Sequence, residues 1–369
     1  MPLQPFKLER YFAKYEFSVK YLLCASDCEA MSIANLLALE ANATEKFTQT
    51  WLGYTESAGA PTLRKAIASL YTTIQADDVL VHSGAEEAIF WFMHAVLLPG
   101  DHLIVHWPCY QSHIEVAHSI GAEITHWVAH EEHGWALDLD ELRRAIRPNT
   151  RAIVINTPHN PTGYLMPQAQ FAELMQIASQ HGIYVLCDEV YRESEYQPAD
   201  RLAAGCDLYE RAVSLNGTAK AWGLAGLRIG WIATHDADLR AKMASFKDYT
   251  TICNSAPSEF LTELAIRHHE TLAGDNRALI LRNLALLDDF FSRHSNRFAW
   301  QRPTAGPIAF PRLLHGDIEH FAHDVVTRSG VLLLPGSVYD YPGNHFRIGF
   351  GRRNMPEALA TLEEFLNHS

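Results

Sequence analysis

The sequence predicts an α/β protein, with a mostly parallel central sheet flanked by helices and a smaller α+β domain attached. Three observations carry this. Strand-like apolar runs alternate with helix-period segments through the middle of the chain. Each run stops at a polar or glycine-containing step, the place where open α/β sheets keep their ligands. Beyond about Ser255 the alternation gives way to long helical spacings and short isolated apolar runs. A length of 369 residues, at roughly 150 per domain, allows about two domains and a large buried core.

The elements follow in order. Residues 79–81 read as a strand and lead into Ser83-Gly84-Ala85-Glu86-Glu87, which opens an apolar helix. Residues 103–105 follow the turn Pro99-Gly100-Asp101. The run 152–155 ends at Asn156-Thr157-Pro158, the run 183–187 at Asp188-Glu189, and the run 212–215 at Asn216-Gly217. Between them, 171–181 is amphipathic and stops at Gly182, as a helix C-terminus does. This alternation argues for βαβ units and a parallel sheet covered on both faces. Further on, Ile280, Leu284, Leu287 and Phe291 keep a helical spacing. An apolar run at 308–311, a helix pattern at 318–328, a run at 331–334 and a last helix at 355–366 complete the chain. Residues 45–260 are therefore expected to form the large domain. Residues 1–44 are too few to fold alone and are expected to join 261–369 in the small one.

Composition excludes several classes. Hydrophobic residues at 48% and charged residues at 20% are an ordinary globular mix. Thirty Lys+Arg against 43 Asp+Glu give a net charge of −13, which works against non-specific nucleic-acid binding. A local basic pocket for a small anion stays open. The six cysteines form no CxxC pair, so free thiols in a reducing compartment are expected. No HExxH or other zinc spacing occurs among the 20 histidines, so no metal is expected. Residues 1–10 are not followed by the apolar segment of a signal peptide. The apolar stretch 88–98 carries His94 and is too short to span a bilayer. A cytoplasmic protein without a membrane partner is expected.

The chemistry starts from Lys220, in Gly217-Thr218-Ala219-Lys220-Ala221-Trp222-Gly223-Leu224-Ala225-Gly226-Leu227-Arg228. A lysine in a loop is ordinarily a surface residue. This one follows a buried strand among small residues that admit a ligand, with Arg228 as an anion-binding fork. A desolvated lysine near an arginine loses its proton readily and can form a Schiff base. Arg347 lies in the strand-like His345-Phe346-Arg347-Ile348-Gly349, where a buried arginine needs an anion. The neighbouring Arg352 and Arg353 read as solvated.

The Lys220 segment resembles the lysine signature of class I pyridoxal-phosphate aminotransferases, the fold-type I family, and the resemblance runs from about Tyr54 to Arg347. It implies a pyridoxal 5'-phosphate cofactor held by Lys220 as a Schiff base. Asn156-Thr157-Pro158-His159-Asn160-Pro161-Thr162-Gly163 is similar to the family's Asn-x-Pro-x-Asn-Pro-Thr-Gly loop. This implies that Asn160 donates to the cofactor's phenolic oxygen, with Tyr191 beside it, and also meets the substrate. Asp188, which alone could equally cap a helix, is implied to pair with the pyridine nitrogen. Gly84 and Ala85 would offer backbone N–H groups to the phosphate at a helix N-terminus, joined by Thr218 and Arg228. Tyr110 would stack on the ring, with Trp107 as its competitor. Arg347 would bind the substrate α-carboxylate. Tyr54 would reach the phosphate of a neighbouring subunit, which implies a homodimer with shared sites.

Two departures stand out. The family's serines before the lysine are Gly217 and Ala219 here. The family's early glycine, whose backbone meets the substrate carboxylate, aligns near Asp27. His113 is expected near the cofactor, since it follows Tyr110 closely, and His159 in the loop. The function implied is amino-group transfer between an amino acid and a 2-oxo acid. The alternative is a lyase or cyclase of the same cofactor, because Arg10-Tyr11-Phe12, 248–251 and 331–336 look more like capreomycidine-synthase-type members. A non-enzymatic sensor is disfavoured by the acidic balance and by the joint presence of Lys220, Asp188, Asn160, Arg228 and Arg347.

Overall fold

The computed structural model describes residues 2–368, so the outermost residue at each end of the expected domain ranges lies outside it. Its centre is a seven-stranded sheet. In chain order the strands are β1 (Val79–His82), β2 (His102–Trp107), β3 (Glu123–Val128), β4 (Thr150–Asn156), β5 (Tyr184–Asp188), β6 (Ala212–Gly217) and β7 (Gly230–Ala233). Across the sheet they run β1-β7-β6-β5-β4-β2-β3. Only β7 is antiparallel to its neighbours. The sheet is thus mostly parallel, as expected, with β3 and β7 added to the runs read from sequence.

Side chains alternate between its faces, as the strand period requires. Leu80, Leu103, Val105, Val154 and Ile232 pack with helix α2 (Ala85–Val96) on one side. Ile104, Ile153, Ile155 and Val185 pack with helix α4 (Gln168–His181) on the other. Helix α3 (Ser112–Ile120) leads from β2 toward β3.

A second core forms around Ile280, Leu284, Leu287 and Phe291 of helix α6 (His269–Arg293), as their spacing implied. It includes helices α7 (Ile318–Ser329) and α8 (Met355–Asn367) and a small sheet of β8 (Ile308–Ala309), β9 (Leu334–Pro335) and β10 (Phe346–Gly349). The packing does not follow the boundaries at 44 and 260. Leu36 and Leu37, with Leu261, Leu264 and Ala265 of helix α5 (Ala256–Arg267), share a core with Val79, Val81 and Trp231 of the large sheet. They pack there because their apolar face meets the outer edge of the sheet at β1 and β7.

Register places the chemistry. Asn156 pairs with Asp188 across β4 and β5, and His82 and Gly217 both pair with Gly230. The ends named in the sequence therefore lie along one edge of the sheet. Helix α1 (Lys7–Tyr15) lies across that edge, its Leu8 in the same core as Phe310 and Tyr339. No helix of the described residues is long and apolar enough to cross a membrane.

Candidate active site

At this edge lies a cavity of about 350 Å³ lined by Lys220, Asp188, Asn160, Tyr191, Tyr110, Ala85, Arg228 and Arg347. It is of the size that binds small ligands. Lys220 Nζ donates to Ser26 Oγ at 2.8 Å. Desolvation pulls its pKa below the ordinary lysine value, Asp27 and Asp188 oppose that, and Arg347 adds to it. The result is an amine readier to be neutral than a surface lysine.

Asp188, at the end of β5, caps no helix. One oxygen accepts from the Val190 amide at 3.2 Å and the other lies 3.2 Å from His113 Nε2. Behind this pair, His159 stacks on His106 with centroids 3.6 Å apart. His159 Nε2 donates to the Pro108 carbonyl and its Nδ1 accepts from Thr162, while burial pulls its pKa down to about 3. His159 is therefore a buried neutral strut of the loop. Asn156 bridges two strand ends, donating to the Asp188 carbonyl at 2.9 Å and accepting from the Asn160 amide at 2.7 Å.

Arg347 is fixed from three sides. Its Nε donates to the Cys24 carbonyl at 3.0 Å, and its Nη1 donates to Tyr339 Oη at 2.6 Å and Asn160 Oδ1 at 3.2 Å. Tyr339 in turn donates to Asn160 Oδ1 at 3.0 Å. Asn160 thereby spends its oxygen and keeps its Nδ2 for the cavity. Arg347 Nη2 is a buried donor with no hydrogen-bond partner among the described residues. A guanidinium so placed awaits an anion.

At the other end, Gly84 begins helix α2 at φ +94°, and a Cβ there would stand 2.8 Å from Arg228 Nη2. Only glycine lets that guanidinium close over a helix N-terminus, where free N–H groups already favour an anion. Tyr110 faces the cavity, whereas Trp107 stacks on His126 at 5.2 Å. Tyr191 lies under Lys220, whose Nζ is 5.8 Å from its ring centroid.

Thr218 is not brought to this cavity, and Tyr54, expected at a neighbouring subunit's phosphate, lies on the surface. Thr218 is buried, and its hydroxyl donates to the Leu224 and Ile229 carbonyls at 3.2 and 3.4 Å. It serves the turn that carries Lys220. Tyr54 is 83% exposed, next to Trp51 at 77% and Leu52 at 81%.

Several lining residues escaped the sequence reading. Ser26 adjoins the flagged Asp27, and Tyr339, which carries no local signal, stands behind the lining and braces Arg347 and Asn160. Glu86, read as a dipole partner, lines the cavity with its pKa raised by burial, and accepts from Ser112. Arg352, read as solvated, also lines the cavity and forks onto Asp27. It is turned inward because the 24–29 segment crosses beside 349–351.

A family model described as "Aminotransferase class I and II" matches residues 20–362. The chain belongs to that family. It is similar to a PLP-dependent aminotransferase from Streptococcus suis 89-1591, at 30% identity and a TM-score of 0.94 over 100% of this chain and 99% of that one. It is also similar to a PLP-dependent cyclase, at 26% identity and a TM-score of 0.91 over 100% of this chain and 98% of that one. Capreomycidine synthase of Streptomyces vinaceus is 29% identical over 99% of this chain and 93% of its own length. The cofactor of this aminotransferase-family chain is pyridoxal 5'-phosphate. The residues fit it: an amine at the centre, a carboxylate at the β5 end, an arginine over a helix N-terminus, and an unpartnered guanidinium opposite.

Proposed function

We propose that the protein transfers an amino group between an amino acid and a 2-oxo acid. The observation that carries this is one cavity that joins the Lys220 amine, the Asp188 carboxylate and the free edge of Arg347. Pyridoxal phosphate supplies an aldehyde that condenses with amines and a ring that accepts electrons.

Each side chain has a task. Arg228 with the Gly84 and Ala85 amides holds the phosphate. Asp188, steadied by His113, would pair with the ring nitrogen and favour its protonated form. Asn160 Nδ2 and the Tyr191 hydroxyl would donate to the cofactor's phenolic oxygen, and Tyr110 would hold the ring by stacking. Arg347 binds the substrate α-carboxylate, next to Asn160. Lys220 would hold the cofactor through its amine and, once free, would serve as the acid–base group that takes the proton from the substrate Cα.

The same reading makes the enzyme a homodimer. Tyr54, Trp51 and Leu52 are exposed, as are Tyr249 (89%) and Ile252 (52%), and the two segments meet where Thr55 donates to the Asn254 carbonyl and Ser57 to Asp248. Apolar groups so clustered mark an interaction surface, and a second copy would bring Tyr54 to the neighbouring phosphate. The free cysteines, five of them buried, suit the reducing cytoplasm.

A second reading, elimination or cyclisation of an amino acid, is favoured by the likeness to capreomycidine synthase and the cyclase. One experiment separates them. The holoenzyme is exposed to a panel of amino acids without a 2-oxo acid, and its cofactor is extracted. Pyridoxamine phosphate in stoichiometric amount supports transfer. Product formed with the cofactor returned unchanged supports the lyase or cyclase.

A further inference from the structure

Four cations line the cavity: Lys220, Arg228, Arg347 and Arg352. Lys220, Arg228 and Arg347 each have a task in the function proposed above, on which this inference rests. Arg352 has none, yet it is the one of the four that is hydrogen-bonded to a carboxylate. Its Nε lies 3.2 Å from Asp27 Oδ1, and its Nη2 lies 2.8 and 3.0 Å from the two Asp27 oxygens. A forked pair of this kind neutralises the guanidinium and weakens its attraction for a second anion.

The pair is set in place by backbone. The Glu29 amide donates to the Gly351 carbonyl at 2.8 Å. A Cβ on Gly351 would come within 2.6 Å of the Asp27 carbonyl, so only glycine lets the two segments meet. Asp27 and Arg352 thus face each other on adjoining segments. Around them the cavity wall is acidic, with Glu9 and Glu16 supplied by α1 and its end. A side-chain carboxylate entering here would meet a neutralised arginine and further carboxylates.

We infer that Asp27 determines substrate specificity: by engaging Arg352 it closes the cavity to amino acids with a side-chain carboxylate and leaves it to neutral or cationic side chains. Arg352 is a dicarboxylate-binding cation kept out of use. Removing Asp27 exposes it.

The test uses the holoenzyme and its Asp27→Ala and Asp27→Asn variants. Rates of cofactor conversion are measured for L-aspartate, L-glutamate and L-alanine, and succinate binding is followed by thermal shift. In the wild type, alanine should outpace both dicarboxylates and succinate should leave the melting temperature unmoved. In either variant the dicarboxylate-to-alanine ratio of kcat/KM should rise by about 10–100-fold, the range expected of one recovered charge-assisted hydrogen-bond pair. Succinate should now bind. Adding Arg352→Ala to Asp27→Ala should remove both gains. Glu16→Gln, which leaves the pair intact, should raise the ratio less. The inference is overturned if the ratio and succinate binding stay unchanged in folded variants, if the gain survives Arg352→Ala, or if the wild type already prefers dicarboxylates. Reaction with alanine but no shift in ratio overturns this inference alone. If no amino acid converts the cofactor, the transfer reading falls and takes this one with it.

Discussion

The floor of the cavity and its mouth are built differently. On the floor, Asn160, Tyr339 and Arg347 are nearly dry and hold one another through fixed hydrogen bonds, and Asn156 ties Asp188 to Asn160. At the mouth, Asp27 and Arg352 keep 20% and 31% of their side chains exposed, and Glu9 is open to solvent. A buried polar network is costly to leave half-satisfied, so it specifies one geometry. A wet ion pair contributes little to stability and can be altered cheaply. The floor therefore suits chemistry that must not vary, and the mouth suits selection among substrates.

Breaking the floor should cost most. Lys220→Ala should remove the bond that carries the cofactor and the proton carrier together. Turnover should fall by at least the 10²–10⁴-fold, approximately, that a positioned acid–base group contributes. Phosphate contacts should still retain some cofactor. Borohydride reduction followed by peptide mapping checks the assignment, and label on another lysine would refute it.

Asp188→Asn should come next. A neutral amide no longer favours a protonated ring, and a loss on the order of 10²-fold follows from removing such an electrostatic partner. The melting temperature should stay close to wild type because the amide can still accept from Val190. Near-normal turnover in this variant would reduce Asp188 to a turn residue.

The contrast between floor and mouth is also a contrast in how much was legible. Lys220, Asp188, Asn160 and Gly84 sit at strand ends, and a strand end is visible as a break in an apolar run. Their chemistry is set within a few residues of chain. Arg347 was legible for the same reason, as a charge inside a strand. Ser26, Tyr339 and the Asp27–Arg352 pair were not, because their roles depend on which distant segments meet. Arg352 beside Arg353 looks like any solvated pair until the 24–29 segment is laid against it. The small unit's helices were clear from their period, but Leu36 and Leu261 carry no mark of which core receives them.

Tyr54 tests the homodimer proposed above, in which it would complete the partner's site. Tyr54→Phe should weaken cofactor binding by roughly 1–3 kcal/mol, the contribution of a charge-assisted hydrogen bond. Mixing Tyr54→Phe chains with Lys220→Ala chains sharpens this. In a mixed dimer one site carries both lesions and the other neither, so activity should return on subunit exchange. Confirmed exchange without recovery, or an active monomer, would contradict the shared site.

The smallest effect is expected behind the floor, at Glu193. This residue stands at φ +77°. It follows Tyr191 closely and accepts from Trp222 Nε1 and His269 Nδ1, both at 2.7 Å, so it fastens the Asp188 loop to the Lys220 loop and to α6. The Glu193 hydrogen bond raises the His269 pKa. Burial pushes the Glu193 carboxyl up, but the His269 and Trp222 hydrogen bonds outweigh it and leave its pKa lowered. His269 thus adds stability that is complete below about pH 6.5, its unfolded value, and is lost as pH rises through the raised folded value. Glu193 adds stability that is complete above about pH 4.3 and is lost as pH falls through its lowered value. Both contributions are therefore full only between these limits. Glu193→Gln keeps the size and the strained backbone but removes the charge. Its melting temperature should lie about 2–4 °C below wild type near pH 6. The gap should narrow as the buffer is moved toward pH 9. A gap that stays constant across that range would mean that the pair is held by shape alone.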